Sequence, residues 1–263
     1  MFLAFVPVFF TTLFVLSNQI IPTKVYTYTN VEMQPSMEHL LQKTAKELSP
    51  IPVIMFNKQS LPFYAGQPEL PRDFDSLNFT MQSMVLQPLI LEKYGGVWID
   101  QNVFVRNKKL VQSLVDEANK EGADCLWTSR ITEQGNYPFN GVVVARAHSA
   151  LMKSIAAEQR NEPFQMTQNK MLQFTSQNDK KEKIIVKPIA NRFTHLKIDC
   201  TNRENAFSDL EKLRNNGAYD LVQVDCKLKM FSFPIIFIVV LLLAFFFKFY
   251  SLIPTARHKK SLY

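Results

Sequence analysis

Residues 94–105 read YGGVWIDQNVFV, and the glycine pair in that run constrains the fold more than any other feature of the chain. Consecutive glycines can end a helix, because only glycine enters the left-handed backbone region without penalty. Ahead of them, Leu77, Met81, Met84, Val85, Leu89 and Leu91 recur at helical spacing over 77–94, with Pro88 expected to kink the last turns. Behind them, Val97, Trp98 and Ile99, then Val103, Phe104 and Val105, read as a buried strand interrupted by Asp100 and Asn102. Residues two apart in a strand share a side. The expectation is therefore one continuous strand, with Trp98, Asp100, Asn102 and Phe104 on one side and Val97, Ile99, Gln101 and Val103 on the other. Asp100 and Asn102 then converge.

The rest of the central region alternates strand and helix patterns. Residues 20–29 (IIPTKVYTYT) favour a strand, 36–48 a helix capped by Ser36 and stopped by Pro50, and 51–56 (IPVIMF) a strand. Residues 57–76 are rich in proline and polar groups and read as loop. Beyond the motif come a helix at 109–120, a strand at 125–129, a strand at 139–145 and a helix at 147–159. Further on, a helix is expected at 167–174, strands at 183–189 and 196–200, and a helix at 206–215. This order argues for one layered α/β domain over residues 22–229, with a mostly parallel central sheet flanked by helices. At 263 residues the chain can bury a core without disulfide or metal support.

Both ends of the chain are apolar, and terminal hydrophobic helices are expected there. Residues 1–21 begin with sixteen uncharged residues and read as a signal sequence or signal anchor. Residues 230–252 are long enough to span a hydrocarbon core of roughly 30 Å as a transmembrane helix. Lys248, Arg257, His258, Lys259 and Lys260 follow the uncharged run that ends at Phe247 and outnumber Lys227 and Lys229 ahead of it, which places the tail 253–263 in the cytoplasm and the main domain in the lumen of the ER or Golgi, or otherwise outside the cytoplasm. In that setting Asn78-Phe79-Thr80 is a glycosylation triplet. Cys125, Cys200 and Cys226 are too few for a disulfide scaffold and lack metal-site spacing. Either Cys200 pairs with Cys226 or the thiols are free and buried. The net charge of +7 comes partly from the lysines flanking the apolar segment, and no long basic run interleaves with aromatics, so nucleic acid is not an expected partner.

Asp100 and Asn102 at the carboxyl end of a sheet strand offer oxygens of the kind a hard divalent cation takes. The segment LILEKYGGVWIDQNVFV resembles the sugar-binding DxD region of metal-dependent glycosyltransferases of the GT-A fold, in the capsular-polysaccharide-synthesis group and its relatives. PTKVYTYT, residues 22–29, is similar to the opening strand of those families, and Asn140-Gly141 with the following VVVAR to a later segment beside the donor sugar. The resemblance covers about residues 20–155. It implies transfer of a sugar from a nucleotide-sugar donor to a hydroxyl of a glycan, lipid or protein acceptor, assisted by Mn2+ or Mg2+. It also implies that Asp100 touches the donor sugar or the metal, that Asn102 stands where a second aspartate usually is, and that Gly95 and Gly96 let the backbone pass close to the ligand. Trp98 belongs to the same motif, Tyr26 and Thr27 would border the nucleotide, and Asn140 and Gly141 the sugar. His195 is the candidate for a late metal ligand. Two departures are visible: Asn102 itself, and Met84 and Gln87 where those families carry Asp-x-x-Arg. Glu158 and Glu162 are candidates for a catalytic base by position alone.

Two other classes remain open. One is a GT-A-like protein without activity that serves in glycan binding or assembly; the other is a membrane adaptor with an unrelated α/β domain.

Overall fold

A computed structural model describes residues 20–29, 35–132, 135–164, 169–170, 173–174, 182–188, 193–198, 208 and 221–226. Strands β1 (Val25–Tyr28), β2 (Val53–Phe56), β3 (Gly96–Ile99), β5 (Cys125–Thr132), β6 (Gly135–Ala145) and β7 (Ile184–Pro188) form one sheet in the order β2-β1-β3-β6-β5-β7. Five of them run the same way and β6 is reversed, so the expected mostly parallel sheet is present with one antiparallel strand set into it. A second sheet of three strands joins β4 (Val103–Val105), β9 (Leu221–Cys226) and β8 (Phe193–Ile198) in the order β4-β9-β8.

The main sheet is flanked by helices α1 (Pro35–Leu48), α2 (Phe79–Tyr94), α3 (Lys108–Lys120) and α4 (Ala150–Asn161). Strand alternation sorts the core into two faces. Tyr26, Tyr28, Phe56, Trp98, Trp127 and Val143 point one way and pack with the buried residues of α2 and α4. Val25, Val97, Ile99, Leu126, Val142 and Val144 point the other way, against Leu110, Val111 and Leu114 of α3. The result is a mixed α/β fold with helices on both sides of the main sheet.

Side-chain caps set three helix starts. Asn78 accepts from Met81 N at 3.0 Å, Asn107 from Lys109 N at 3.0 Å and Ser149 from Met152 N at 3.2 Å, each meeting a backbone N–H that the first turn leaves unpaired. Those caps shift α2 and α4 to start two and three residues later than periodicity predicts. Pro88 lies inside α2, which continues past it to Tyr94. The loop 57–76 contains three short 3-10 turns, at Leu61–Phe63, Gln67–Glu69 and Phe74–Ser76.

The expectation of a membrane location is corrected. Among the described residues, no helix is long and apolar enough to cross a membrane. Residues 1–19 and 227–263, which carried the signal-anchor, transmembrane and tail expectations, lie outside the described residues, as do Cys200 and all of the expected 206–215 helix except Ser208. Cys125 is a buried free thiol whose pKa is pushed well up, first by burial and then by the nearby Glu182 and Asp124 carboxylates, which makes it unreactive.

Candidate functional site

The motif does not form one strand. β3 ends at Ile99, the chain turns through Asp100, Gln101 and Asn102, and β4 begins at Val103. Val103 N donates to Asp100 O at 2.9 Å and closes the turn. Asp and Asn are turn formers because their short side chains tolerate the required backbone angles. The residue types that suggested a ligand site thus also bend the chain, and the expectation that Asp100 and Asn102 share a strand face is corrected: Asp100 closes the six-stranded sheet and Asn102 opens the three-stranded one. Asn102 O accepts from Val224 N of β9 at 2.7 Å, which ties the turn to the second sheet.

Asp100 occupies the carboxyl edge of the main sheet, where α/β folds place ligands. Trp98 Nε1 donates to Asp100 Oδ1 at 2.8 Å, and Ser83 Oγ of α2 donates to the same oxygen at 3.0 Å. Trp98 is fully buried against Phe56, with ring centroids 6.1 Å apart, so it serves to hold the carboxylate instead of facing open space. Oδ2 of Asp100 and the Asn102 amide have no hydrogen bond among the described residues. Asp100 is partly exposed, yet the surrounding protein raises its pKa by desolvation, while the bonds from Trp98 and Ser83 pull it down in part. Desolvation of a carboxylate at the ligand-bearing edge of the sheet makes Asp100 a candidate functional position.

The reversed strand brings Gly141 to the same point: Asp100 N donates to Gly141 O at 2.9 Å. The β5–β6 register breaks here, with Trp127 opposite Val143 but Ser129 opposite Pro138, so the backbone around Asn140 and Gly141 bulges out of the ladder. Thr128 Oγ1 donates to Val142 O at 2.7 Å and fixes one side of the bulge. Such bulges recur beside active sites because they re-aim the chain. Ser129, just past the break, is buried with its Oγ unpartnered among the described residues.

Other sequence candidates sit elsewhere. Tyr26 is in the core, stacked on Tyr94 at 5.9 Å, and its pKa is pushed up to about 12 by burial, then by Tyr94 and Tyr64. Thr27 is buried on the opposite face with its Oγ1 unpartnered. Tyr28, not Tyr26, ends β1 near the site, and its hydroxyl donates to Gln82 Oε1 at 3.0 Å. Gly95 and Gly96 have φ of +62° and +109°, and a Cβ on either would come within 2.6 Å of the chain's own backbone, at Ala147 N and Lys24 O. What passes close to these glycines is therefore protein. Glu158 pairs with Lys170, and Glu162 is exposed past the end of α4. His195 lies in β8 opposite Gln223, which is itself opposite Val103, so its backbone is two strands from the turn, about 10 Å.

As a donor set for a cation, Asp100 and Asn102 contribute one carboxylate oxygen and one amide oxygen, and among the described residues no group of three or more His, Cys, Asp or Glu could hold a metal ion. They fit a cation only as a shared one, with further oxygens from a bound ligand. Sequence reasoning missed Ser83 and the bulge; serine inside a helix carries no distinctive signal, while Asn-Gly within a strand run was a sign of irregular backbone.

No family profile matches the chain, and no curated protein matches it in sequence. Similarity to solved structures is weak. A glycosyltransferase involved in glycosylation of the major capsid of PBCV-1 has a TM-score of 0.41 and 14% identity, covering 77% of this chain and 93% of that one. The galactosyltransferase LgtC, in complex with donor and acceptor sugar analogues, has a TM-score of 0.39 and 9% identity, covering 78% and 88%. A protein from Bacillus anthracis given as a glucose-1-phosphate thymidylyltransferase has a TM-score of 0.39 and 9% identity, covering 64% and 87%. Scores of this size carry no argument about the chemistry of this chain.

Proposed function

We propose that the chain is a glycosyltransferase of GT-A type that moves a sugar from a nucleotide-sugar donor to a hydroxyl acceptor. The observation that carries this reading is the half-committed carboxylate of Asp100: one oxygen held by Trp98 and Ser83, the other unclaimed at the carboxyl edge of the sheet. The Asn140–Gly141 bulge beside it and the resemblance of the surrounding motif add to the support. In the reaction, the bond between the sugar's anomeric carbon and the donor phosphate oxygen breaks while that carbon bonds to the acceptor oxygen, whose proton passes to the departing diphosphate or to water. Asp100 orients the donor sugar by accepting from its hydroxyls, and Asn102 contributes an amide at the turn. Together with the donor's diphosphate these two residues would hold Mn2+ or Mg2+, whose chemistry is to offset charge on the departing phosphate.

A second reading has an observation of its own. Where an Asp-x-x-Arg is usual in the resembled families, α2 carries Met84 and a buried Gln87, and Asn102 removes a charge from the turn. A catalytically silent protein that retains sugar or glycan binding would tolerate those changes.

One experiment separates the two. The purified chain is titrated with uridine and guanosine diphosphates, with and without manganese, then assayed for release of the nucleotide from nucleotide sugars. Binding and release, both lost in Asp100→Asn, support the enzyme. Binding without release under any acceptor supports the silent protein, and absence of nucleotide binding sinks the transferase reading.

A further inference from the structure

We infer that a groove between α4 and the turn segment 67–73 binds an anionic oligosaccharide, and that Arg72, Arg160 and Lys153 are its recognition groups. A cavity of about 630 Å3 is lined by Arg72, Asp73, Arg160 and Asn161, with Leu70 and Pro71 as its buried floor. Arg160 also lines a neighbouring cavity of about 160 Å3, which contains Lys153 and Ala156. Arg160 is common to the two linings. Lys153 and Arg160 are two helical turns apart on one face of α4, about 10 Å along the axis, and Ala156 and Ala157 between them leave the surface low.

The charge balance points to an anion. Glu69 and Glu92 line the smaller cavity; Lys93 lies 3.3 Å from Glu69, which also accepts from Gly66 N, while Glu92 lies 3.7 Å from the His148 imidazole, which offsets its charge only when protonated. Asp73 is the one acid lining the two cavities that has no ion pair among the described residues. Arg72, Arg160 and Lys153 make no hydrogen bond or ion pair there either. Three uncommitted cations stand against two acids, Asp73 and Glu92, that no lysine or arginine pairs among the described residues. A guanidinium presents a planar fork that matches carboxylate or sulfate oxygens in pairs. No aromatic ring lines either cavity, which disfavours single-stranded nucleic acid, because that class of ligand depends on base stacking. The inference rests on the transferase reading for the choice of a sugar chain as the carrier of the carboxylates or sulfates.

The test is calorimetric titration of the full chain with a hyaluronan hexasaccharide, a sulfated chondroitin hexasaccharide, a neutral chitin hexasaccharide and an oligouridine RNA, with uridine diphosphate titrated separately. Expected is binding of a charged glycan, weakened by salt, with none of the neutral one at the same concentrations. Preference between hyaluronan and the sulfated chain then names the anion. Arg72→Ser combined with Arg160→Ser should weaken that binding roughly tenfold or more and leave uridine diphosphate binding unchanged. Both side chains are exposed, so the double variant should fold. Equal affinity for neutral and charged glycans, wild-type affinity in the double variant, or tighter binding of the RNA overturns the inference. Charged-glycan binding without nucleotide binding refutes the transferase reading and leaves the groove standing; nucleotide binding without glycan discrimination refutes the groove alone.

Discussion

Trp98 donates its indole N–H to the carboxylate two residues along its own chain, with Nε1 2.8 Å from Asp100 Oδ1. The bond is possible because β3 sends both side chains to the same face before the chain turns away. Ser83 completes the grip from α2, so the carboxylate is positioned by the two elements that flank the glycine pair. A carboxyl group held this firmly by one oxygen is preorganised for whatever the other oxygen meets.

Asp100→Asn keeps an acceptor for Trp98 and Ser83 and should leave the fold within about 1 kcal/mol of wild type. Sugar transfer should fall about 100-fold, the usual cost of removing one preorganised electrostatic group. Asp100→Ala should lose transfer as well, and should also lose about 1–3 kcal/mol of stability, because a buried indole N–H then has no partner. Urea midpoints beside turnover measurements distinguish the two variants. Full activity in Asp100→Asn would contradict the proposed role.

Burial raises the Asp100 pKa above its ordinary 3.8, so the folded chain keeps this proton to higher pH than the unfolded chain does. The group's contribution to stability is fully present below the unfolded pKa and is lost as pH rises through the folded one. Asp100→Asn lacks this dependence. Wild-type stability, taken relative to Asp100→Asn, should therefore decline as pH rises from about 4. Ser83→Ala removes a bond that favours the charged form and should move the decline to higher pH. Parallel stability curves for wild type and Asp100→Asn across the acid range would refute the shift.

Gly95→Ala and Gly96→Ala each place a Cβ within 2.6 Å of backbone at a positive φ, where the atom has nowhere to go. Each should cost more than the roughly 1–2 kcal/mol of left-handed strain alone. Gly122, at φ +61° with nothing within 4 Å of its Cβ position, should show only that strain on change to Ala. Thermal unfolding of the three variants ranks them; a Gly122→Ala as damaged as the other two would show that crowding is not the cause.

In the proposed site, Asn102→Asp offers the shared cation a second carboxylate. Manganese-dependent affinity for the nucleotide diphosphate should rise, by roughly tenfold, and metal-free affinity should not. Calorimetry at matched ionic strength reads both. A fall in affinity with manganese would mean that the turn does not face the ligand.

Much of the layered order was readable from the chain because α1, α2, α3 and α4 carry apolar residues at helical spacing between short strand patterns. The glycine pair located the α2–β3 junction within one residue. The turn at Asp100–Asn102 was hidden because Val103–Val105 resumes the apolar pattern of Val97–Ile99. Only pairing with β9, far along the chain, shows that the second run belongs to another sheet. Tyr26 and Trp98 enter the candidate site through the resemblance alone, which carries no information on burial; both face inward. The β9 run LVQVDC alternates apolar and polar residues from Val222 on, the period-two signal of a half-buried strand.

The hydrogen bond from Val224 to Asn102 has a consequence in time. During synthesis, β3 and α2 can meet as soon as they leave the ribosome, since they are neighbours in sequence. The turn between the sheets cannot lock until β9, more than a hundred residues later, has emerged and found β4. Trp98, Ser83 and Asp100 can come together early, while Asn102 waits for the last described strand. A chain released before that point would hold a folded core beside an unfinished site.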